Sequence, residues 1–164
     1  MTGLSSRYRV VASRATWTEA QIACEVDGGR LAVIDSVAEQ VWLASQAKEA
    51  LPLGGKHGWL GLSDHRVEGT FVWLDGSAVT ASSWETSEPN DQNGYEDCVE
   101  ITEDGTWNDI RCVLTFSSVC ECDGLPPPTP QTWCDTNLDS DCGTCGNVCS
   151  AGTTCVDQSC RLPS

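Results

Sequence analysis

The sequence predicts an α+β domain followed by a small disulfide-rich tail, and three observations predict it. Two capping-box patterns open helices within the first 40 residues. From His57 onward the apolar and aromatic runs have strand length and are separated by turn residues. Six of the eleven cysteines fall in the final 31 residues, behind the stiff stretch Leu125-Pro126-Pro127-Pro128-Thr129-Pro130. Two helices close together and early, with strands and loops after them, suit an α+β layer arrangement. The expected divisions are a domain over 1–123, a proline-rich linker over 124–130 and a cysteine-rich tail over 131–164.

Tyr8-Arg9-Val10-Val11-Ala12 has the aromatic and β-branched content of a short strand. Thr16-Trp17-Thr18-Glu19 places Thr at an N-cap and Glu three residues later, a capping box. The helix it opens carries Ala20, Ala23 and Cys24 on one face and stops at Gly28-Gly29. Arg30 to Ile34 is a brief apolar stretch. Ser36-Val37-Ala38-Glu39 is a second capping box, opening a helix with Val41, Trp42 and Ala44 that ends before Pro52. His57-Gly58-Trp59-Leu60-Gly61-Leu62 is apolar enough for a central strand. Thr70 to Leu74 follows as a strand, with Asp75-Gly76 as its turn. Residues 76–95 have little regular pattern, a length that a compact domain tolerates when the loop is functional. Asp97–Ile101, Gly105–Trp107 and Ser118–Cys122 are the closing strands.

The formal net charge is −15 and the pI is near 4.2. Such a surface repels phosphate backbones, which excludes nucleic acid as the natural partner. Eleven cysteines in 164 residues point to an oxidising, extracellular setting, secreted or at the cell surface. No run of 18 apolar residues is present, so no segment has the pattern of a membrane span. The start, MTGLSSRYRV, lacks the apolar core of a signal peptide, so a secreted protein is expected here as a trimmed chain with an added Met1.

The stretch from Glu85 to Cys112, ETSEPNDQNGYEDCVEITEDGTWNDIRC, concentrates the chemistry. Glu88, Asn90, Asp91, Glu96, Asp97, Asn108 and Asp109 supply carboxylate and amide oxygens, and only Arg111 offsets their charge locally. Crowded carboxylates repel one another and tend to protonate. A hard cation taking six to eight oxygen ligands at about 2.3–2.6 Å relieves that repulsion, which is calcium's preference. A solvated acidic loop is the bland alternative. Against it stand the interleaved Trp84, Tyr95 and Trp107, the bracketing Cys98 and Cys112, and Pro89 set between Glu88 and Asn90.

Glu88-Pro89-Asn90, then Glu96 eight residues after Glu88, then Asp97-Cys98, then Trp107-Asn108-Asp109 closely resembles the sugar-binding signature of C-type lectin domains. The resemblance covers about Tyr8 to Cys122 and extends to the core strand, where Trp59-Leu60-Gly61-Leu62 stands for the family's WIGL-like run. It implies the C-type lectin-like fold: two helices, small antiparallel sheets and a long calcium-binding loop. It also implies a primary calcium held by Glu88, Asn90, Glu96, Asn108 and Asp109. Two neighbouring sugar hydroxyls would complete that site, each donating to a carboxylate and accepting from an amide N–H. An EPN sequence implies mannose, glucose, N-acetylglucosamine or fucose, and a cis Glu88–Pro89 bond. Asp64, Glu68, Asp91 and Asp97, with Glu96, match an auxiliary calcium site that would pin the long loop; surface carboxylates are the alternative reading. From position, Tyr95 or Gln92 is expected beside the sugar, with Tyr95 the chosen contact, whereas Trp84 and Trp107 read as core.

The resemblance further implies disulfides Cys24–Cys120 and Cys98–Cys112. On a chain-entropy view, loops of about 100 and about 15 residues contribute roughly 4.7 and 3 kcal/mol. No cysteine precedes Cys24, so the pattern is that of the short form of the domain, or a truncated one. Cys122, Cys134, Cys142, Cys145, Cys149, Cys155 and Cys160 remain. The tail has almost no apolar core and needs disulfides or a metal to hold a shape. Cys142-Gly-Thr-Cys145 has no following histidine, so disulfides are preferred over zinc. Asp135, Asn137, Asp139 and Asp141 imitate a calcium-loop rhythm but lack its glycine and its bidentate glutamate. Cys122 is left odd, open to being free, cross-linking two chains or having a partner upstream; it and the tail are the expected routes to an oligomer.

The function expected is non-enzymatic, calcium-dependent binding of mannose-type glycans. A glycosidase is the second class, because paired carboxylates abound; those pairs serve better as calcium ligands. A calcium-stabilised protein-binding, adhesion or ice-binding module on the same fold is the third.

Overall fold

The computed structural model describes residues 7–50, 56–122, 154–156 and 159–161. The expected linker and most of the tail, including the acidic rhythm at 135–141, lie outside the described residues. Helix α1 spans Trp17–Val26 and α2 spans Val37–Ala50. The strands are β1 (Arg7–Ala15), β2 (Arg30–Leu31), β3 (His57–Ser63), β4 (Val72–Trp73), β5 (Cys98–Thr102), β6 (Trp107–Ile110), β7 (Phe116–Cys122), β8 (Thr154–Val156) and β9 (Ser159–Arg161).

Strands β1 to β7 form one sheet in the order β1-β7-β3-β5-β6, with β2 added to β7 and β4 to β3. All pairings in it are antiparallel except β3 with β7, which run parallel through Gly58–Ser117 and Trp59–Ser118. The expected set of small antiparallel sheets is therefore one mixed sheet. In the tail, β8 and β9 pair antiparallel with Cys155 opposite Cys160.

α1 begins as its sequence dictates. The Glu19 N–H donates to Thr16 Oγ1 and the Thr16 N–H donates to Glu19 Oε2, so both halves of the capping box are made. The Thr16 N–H and the Thr16 hydroxyl, both donating to the Glu19 carboxylate, hold it below its usual pKa. Trp17, Ala20 and Cys24 form the buried face, and Ala23, expected with them, is exposed. At α2 only half of the box is made. The Glu39 N–H donates to Ser36 Oγ at 3.2 Å, while Glu39 Oε2 accepts from the Asp35 N–H at 2.7 Å. Glu39 also accepts from the Tyr8 hydroxyl and is buried, so it ties α2 to β1. Gln40, Leu43 and Ala47 are the inward residues of α2; Val41 is exposed and Trp42 and Ala44 are half-buried.

β3 is central, and both of its faces are covered. Side chains alternate along a strand. Trp59 packs with Trp17, Ala20 and Cys24 of α1, while Leu60 and Leu62 pack with Leu43 and Ala47 of α2. Trp17 Nε1 donates to the Leu60 carbonyl and Trp59 Nε1 to the Ala15 carbonyl, each at 2.8 Å. Gly61 is required by a close approach: a Cβ there would lie 2.7 Å from the Leu31 carbonyl oxygen. Disulfide Cys24–Cys120 joins α1 to β7, and Cys98–Cys112 joins the start of β5 to the segment after β6. Cys122 is buried and disulfide-bonded within the chain, which overturns its three expected readings, the free thiol, the cross-link to a second chain and the upstream partner.

The last strand pair differs in register from expectation. Gly105 does not open a strand; it sits in the β5–β6 turn at φ +79°, and β6 starts at Trp107. β4 is shortened to two residues.

Candidate functional site

The long loop between β4 and β5 is irregular apart from a single 3-10 turn over Gln92–Gly94. It is fastened to β6 through the backbone: the Trp107 N–H donates to the Ser83 carbonyl and the Glu85 N–H to the Trp107 carbonyl, both at 2.8 Å. Trp84 packs edge-on against Trp107 with ring centroids 5.8 Å apart, and Trp107 is fully buried. Both tryptophans belong to the packing under the loop, as expected.

Beyond that anchor the chain turns through Ser87 at φ +78° and a cis Glu88–Pro89 bond. Asn90 Nδ2 donates to Glu88 Oε1 at 2.7 Å and to Oε2 at 2.6 Å. Asp109 on β6 is buried, and its two carboxylate oxygens accept the Asn90 N–H at 3.0 Å and the Asp91 N–H at 2.8 Å. One side chain thus positions the loop backbone just after Pro89. The Gln92 N–H donates to Glu96 Oε2 at 2.9 Å and the Glu96 N–H to Asp91 Oδ1 at 3.2 Å, closing the loop on itself.

The electrostatics record the crowding. Desolvation pushes the Glu88 carboxyl above the usual glutamate range, and the neighbouring Asp109 and Glu96 push it further, against the Asn90 bonds. Glu96 is raised by desolvation first, then by Asp109 and Asp91, with the Gln92 N–H and Arg111 opposing. A second group adjoins the first. Glu68, although exposed, is raised by partial desolvation and by the charges of Asp64, Asp91 and Asp97. Asp64 is buried; its Oδ2 accepts the Gly69 N–H at 2.8 Å, whereas its Oδ1 is buried with no hydrogen-bond donor. The Asp64 N–H donates to the Asp97 carbonyl at 3.2 Å.

Of the residues singled out in the sequence, Glu88, Asn90, Glu96 and Asp109 are drawn together, as are Asp64, Glu68, Asp91 and Asp97. Tyr95 is exposed at the loop's end. Asn108 donates its amide to Glu100 Oε1 at 3.0 Å rather than to the loop carboxylates. Glu100 escaped the sequence reading, although an acid inside the apolar run Cys98-Val99-Glu100-Ile101 was its signal.

The donor set fits a hard cation. Every ligand type is oxygen, the carboxylates repel one another, and Asp64 Oδ1 is a buried acceptor with no donor of its own. His65, Cys98 and Cys112 also lie close together, but the two sulfurs are bonded to each other and cannot ligate a metal as thiolates.

A family model described as the Lectin C-type domain matches residues 13–122. C-type lectin domain family 17, member A, of Homo sapiens is 39% identical over 119 residues, covering 70% of this chain and 29% of that protein. The alpha-N-acetylgalactosamine-specific lectin of Patiria pectinifera is 38% identical over 122 residues, covering 70% of this chain and 72% of that one. The chain spans 29% and 41% of the first two curated relatives it matches. Among solved structures, the cow C-type carbohydrate-recognition domain of CD23, crystallised in the presence of GlcNAc2Man3 oligosaccharide, superposes with a TM-score of 0.65 at 32% identity, over 73% of this chain and 88% of that one. A calcium-independent type II antifreeze protein superposes with a TM-score of 0.62 at 28% identity, over 74% of this chain and 88% of that one.

Proposed function

The chain belongs to the C-type lectin domain family, and from that premise we propose that it binds mannose-type sugars in a calcium-dependent way. The observation that carries the proposal is the Glu88–Asn90 pair, in which an acceptor carboxylate and a donor amide stand 2.7 Å apart beside the Asp109 carboxylate. A sugar hydroxyl both donates and accepts, so one carboxylate and one amide satisfy it completely. Two such pairings suit neighbouring equatorial hydroxyls of mannose, fucose, N-acetylglucosamine or glucose.

Glu88, Asn90, Glu96, Asn108 and Asp109 would hold the primary calcium. Asp64, Glu68, Asp91 and Asp97, together with Glu96, would hold an auxiliary one. Bound calcium would neutralise the crowded carboxylates and offer coordination positions to sugar oxygens. The chain's own residues do the rest. Asp109 fixes the backbone at Asn90 and Asp91, Glu96 closes the loop at Gln92, and Tyr95 supplies an exposed aromatic face for the sugar. The role is binding rather than catalysis, in an extracellular setting that agrees with the disulfides. Among the described residues no helix is long and apolar enough to cross a membrane. A shallow site gripping one sugar by two hydroxyls is expected near the millimolar scale, about −4 kcal/mol, so useful avidity needs several copies.

A neighbour on the same fold that is named as an antifreeze protein keeps a second reading open, in which the fold does not bind sugar: a calcium-stabilised protein-binding or adhesion module. Retention on immobilised mannose and galactose, each with calcium and then with chelator, separates the two. Retention on mannose alone, released by chelator, supports the proposal. Retention on neither, with calcium still raising the melting temperature, supports the second reading.

A further inference from the structure

Glu100 is the buried ionisable residue nearest the site that no role yet explains. It lies in β5 directly opposite Asn108 of β6. It is 1% exposed, inside a strand otherwise made of the half-cystine Cys98, Val99, Ile101 and Thr102. A carboxylate in such a place is costly unless its oxygens are used. One oxygen is: Oε1 accepts from Asn108 Nδ2 at 3.0 Å. The other, Oε2, stands 2.9 Å from Nδ1 of His57, the diagonal neighbour on β3, at an ion-pair distance but without an aligned hydrogen bond.

We propose that Glu100 is a positioning residue that sets which end of the Asn108 amide faces the binding site. The inference rests on the calcium-site reading above. Oε1 is the accepting oxygen of that bond, so of the two ends of the Asn108 side chain only Nδ2 can face it. That contact uses one of the two N–H groups. It leaves Oδ1 and the second N–H available, the combination that a ligand to a hard cation and a donor to a sugar hydroxyl both need. Without Glu100, a 180° rotation about the last side-chain bond of Asn108 would exchange oxygen and nitrogen at little cost. His57 holds the carboxylate from the β3 side, so three adjacent strands define one amide orientation. A plain core ion pair between His57 and Glu100 would explain the burial, yet it would not require Asn108 to present its nitrogen inward.

Glu100→Gln is the discriminating change. It keeps size and shape, but its amide can donate as well as accept, so it tolerates either orientation of Asn108. Three quantities are read at pH 7.5: the side-chain amide resonances of Asn108 in the metal-free protein (assigned with Asn108→Asp), calcium affinity by calorimetry, and the metal-free melting temperature. In the parent protein, one Asn108 Nδ2 proton is expected to be shifted and protected from solvent exchange. In E100Q that protection is lost and the calcium Kd rises about ten- to a hundredfold, the usual effect of removing a group that orients a metal ligand. Two equally exchanging Asn108 protons in the parent protein overturn the proposal without any variant. An unchanged calcium Kd in E100Q overturns it too, and a lowered melting temperature alone would leave Glu100 a core residue. Absence of calcium binding by the parent protein brings down the functional reading itself and this inference with it.

Discussion

Ala44 on α2 occupies the place that a side chain at Gly105 would need: a Cβ at 105 would lie 2.3 Å from the Ala44 Cβ. The contact is reinforced by Gln40 Nε2, which donates to the Gly105 carbonyl at 2.8 Å in a buried position. Helix α2 is thereby pressed against the turn that leads into β6, the strand carrying Asn108 and Asp109. Gly105→Ala should destabilise the domain by roughly 2–4 kcal/mol, combining overpacking with a left-handed backbone that alanine resists. Urea unfolding of the metal-free protein measures it; a loss under about 0.5 kcal/mol, the range of an inert surface change, would mean the turn simply moves aside.

Asp109 is expected to hold the loop rather than only to await a ligand. In Asp109→Ala the backbone N–H groups of Asn90 and Asp91 lose their acceptors. Because Asn90 is exposed, water can replace the bonds and the stability cost should be near the low end, about 1 kcal/mol. Hydrogen exchange is the sharper measure: both amides should be protected in the parent protein and exchange freely in the variant. Equal protection in both would remove Asp109 from this role.

The dependence on pH should change sign with calcium. Glu88, Glu96 and Glu68 all titrate above the usual value of 4.5 in the folded, metal-free protein. The folded state then holds their protons more tightly than the unfolded chain does. Their contribution to stability is complete below the unfolded value and is lost as pH rises through the raised folded values. Acidification from neutral pH should therefore add stability from these groups when calcium is absent. With calcium present protons compete for the same oxygens, so acid should reduce both stability and sugar retention. Melting curves between pH 7 and pH 4, with calcium and with chelator, check this, and Glu88→Gln/Glu96→Gln should flatten the metal-free gain. Parallel curves with and without calcium would contradict it.

Calcium at a hundred times its Kd should stabilise the folded chain by about 2.7 kcal/mol per site. Glu68→Ala, on the exposed side of the auxiliary group, should reduce that gain while leaving the metal-free protein close to the parent. Calorimetric titration counts the sites directly, and one binding event unaffected by the substitution would remove the auxiliary site.

Tyr95→Ala tests the sugar contact. Tyr95 is 68% exposed, so its loss should leave the melting temperature unchanged. Mannose affinity should fall by a factor of about 2 to 10, the scale of one partly solvated aromatic contact. Unchanged affinity would transfer the flanking role to Gln92 or to neither residue.

The parts that were legible in the sequence are those set by neighbours in the chain. Thr16 and Glu19 cap α1 because their spacing alone brings them together. The inward faces of the helices were less legible. Ala23 and Val41 are apolar but exposed, because the sheet meets α1 at Trp17, Ala20 and Cys24 and α2 at Gln40, Leu43 and Ala47. Gly105 read as the edge of a strand, while its positive φ and its N–H bond to the Thr102 carbonyl place it in a turn, the one that Asp104-Gly105 marks in the sequence. An acid inside the apolar run Cys98-Val99-Glu100-Ile101 marked Glu100 as unusual, but its role was not legible there, since its partners lie on two other strands. The closeness of Asp64 to Asp91 and Asp97, more than 25 residues away, is likewise a product of the fold, and the sequence supplied it only through resemblance.

The pairing of Arg7 with Cys122 places the first residue of β1 and the last residue of β7 on one rung of the ladder between them. A pull applied to those two ends opens that ladder like a zipper, one rung at a time, through Tyr8–Glu121 to Arg9–Cys120. There it meets the Cys24–Cys120 bond. Once the segment between Arg9 and Cys24 is drawn taut, tension crosses from Cys24 to Cys120 through sulfur, and none passes into residues 25–119. The loop from Glu85 to Asp109 is mechanically bypassed. Force on those two ends can peel β1 and unwind α1 as far as Cys24 while the loop stays unloaded.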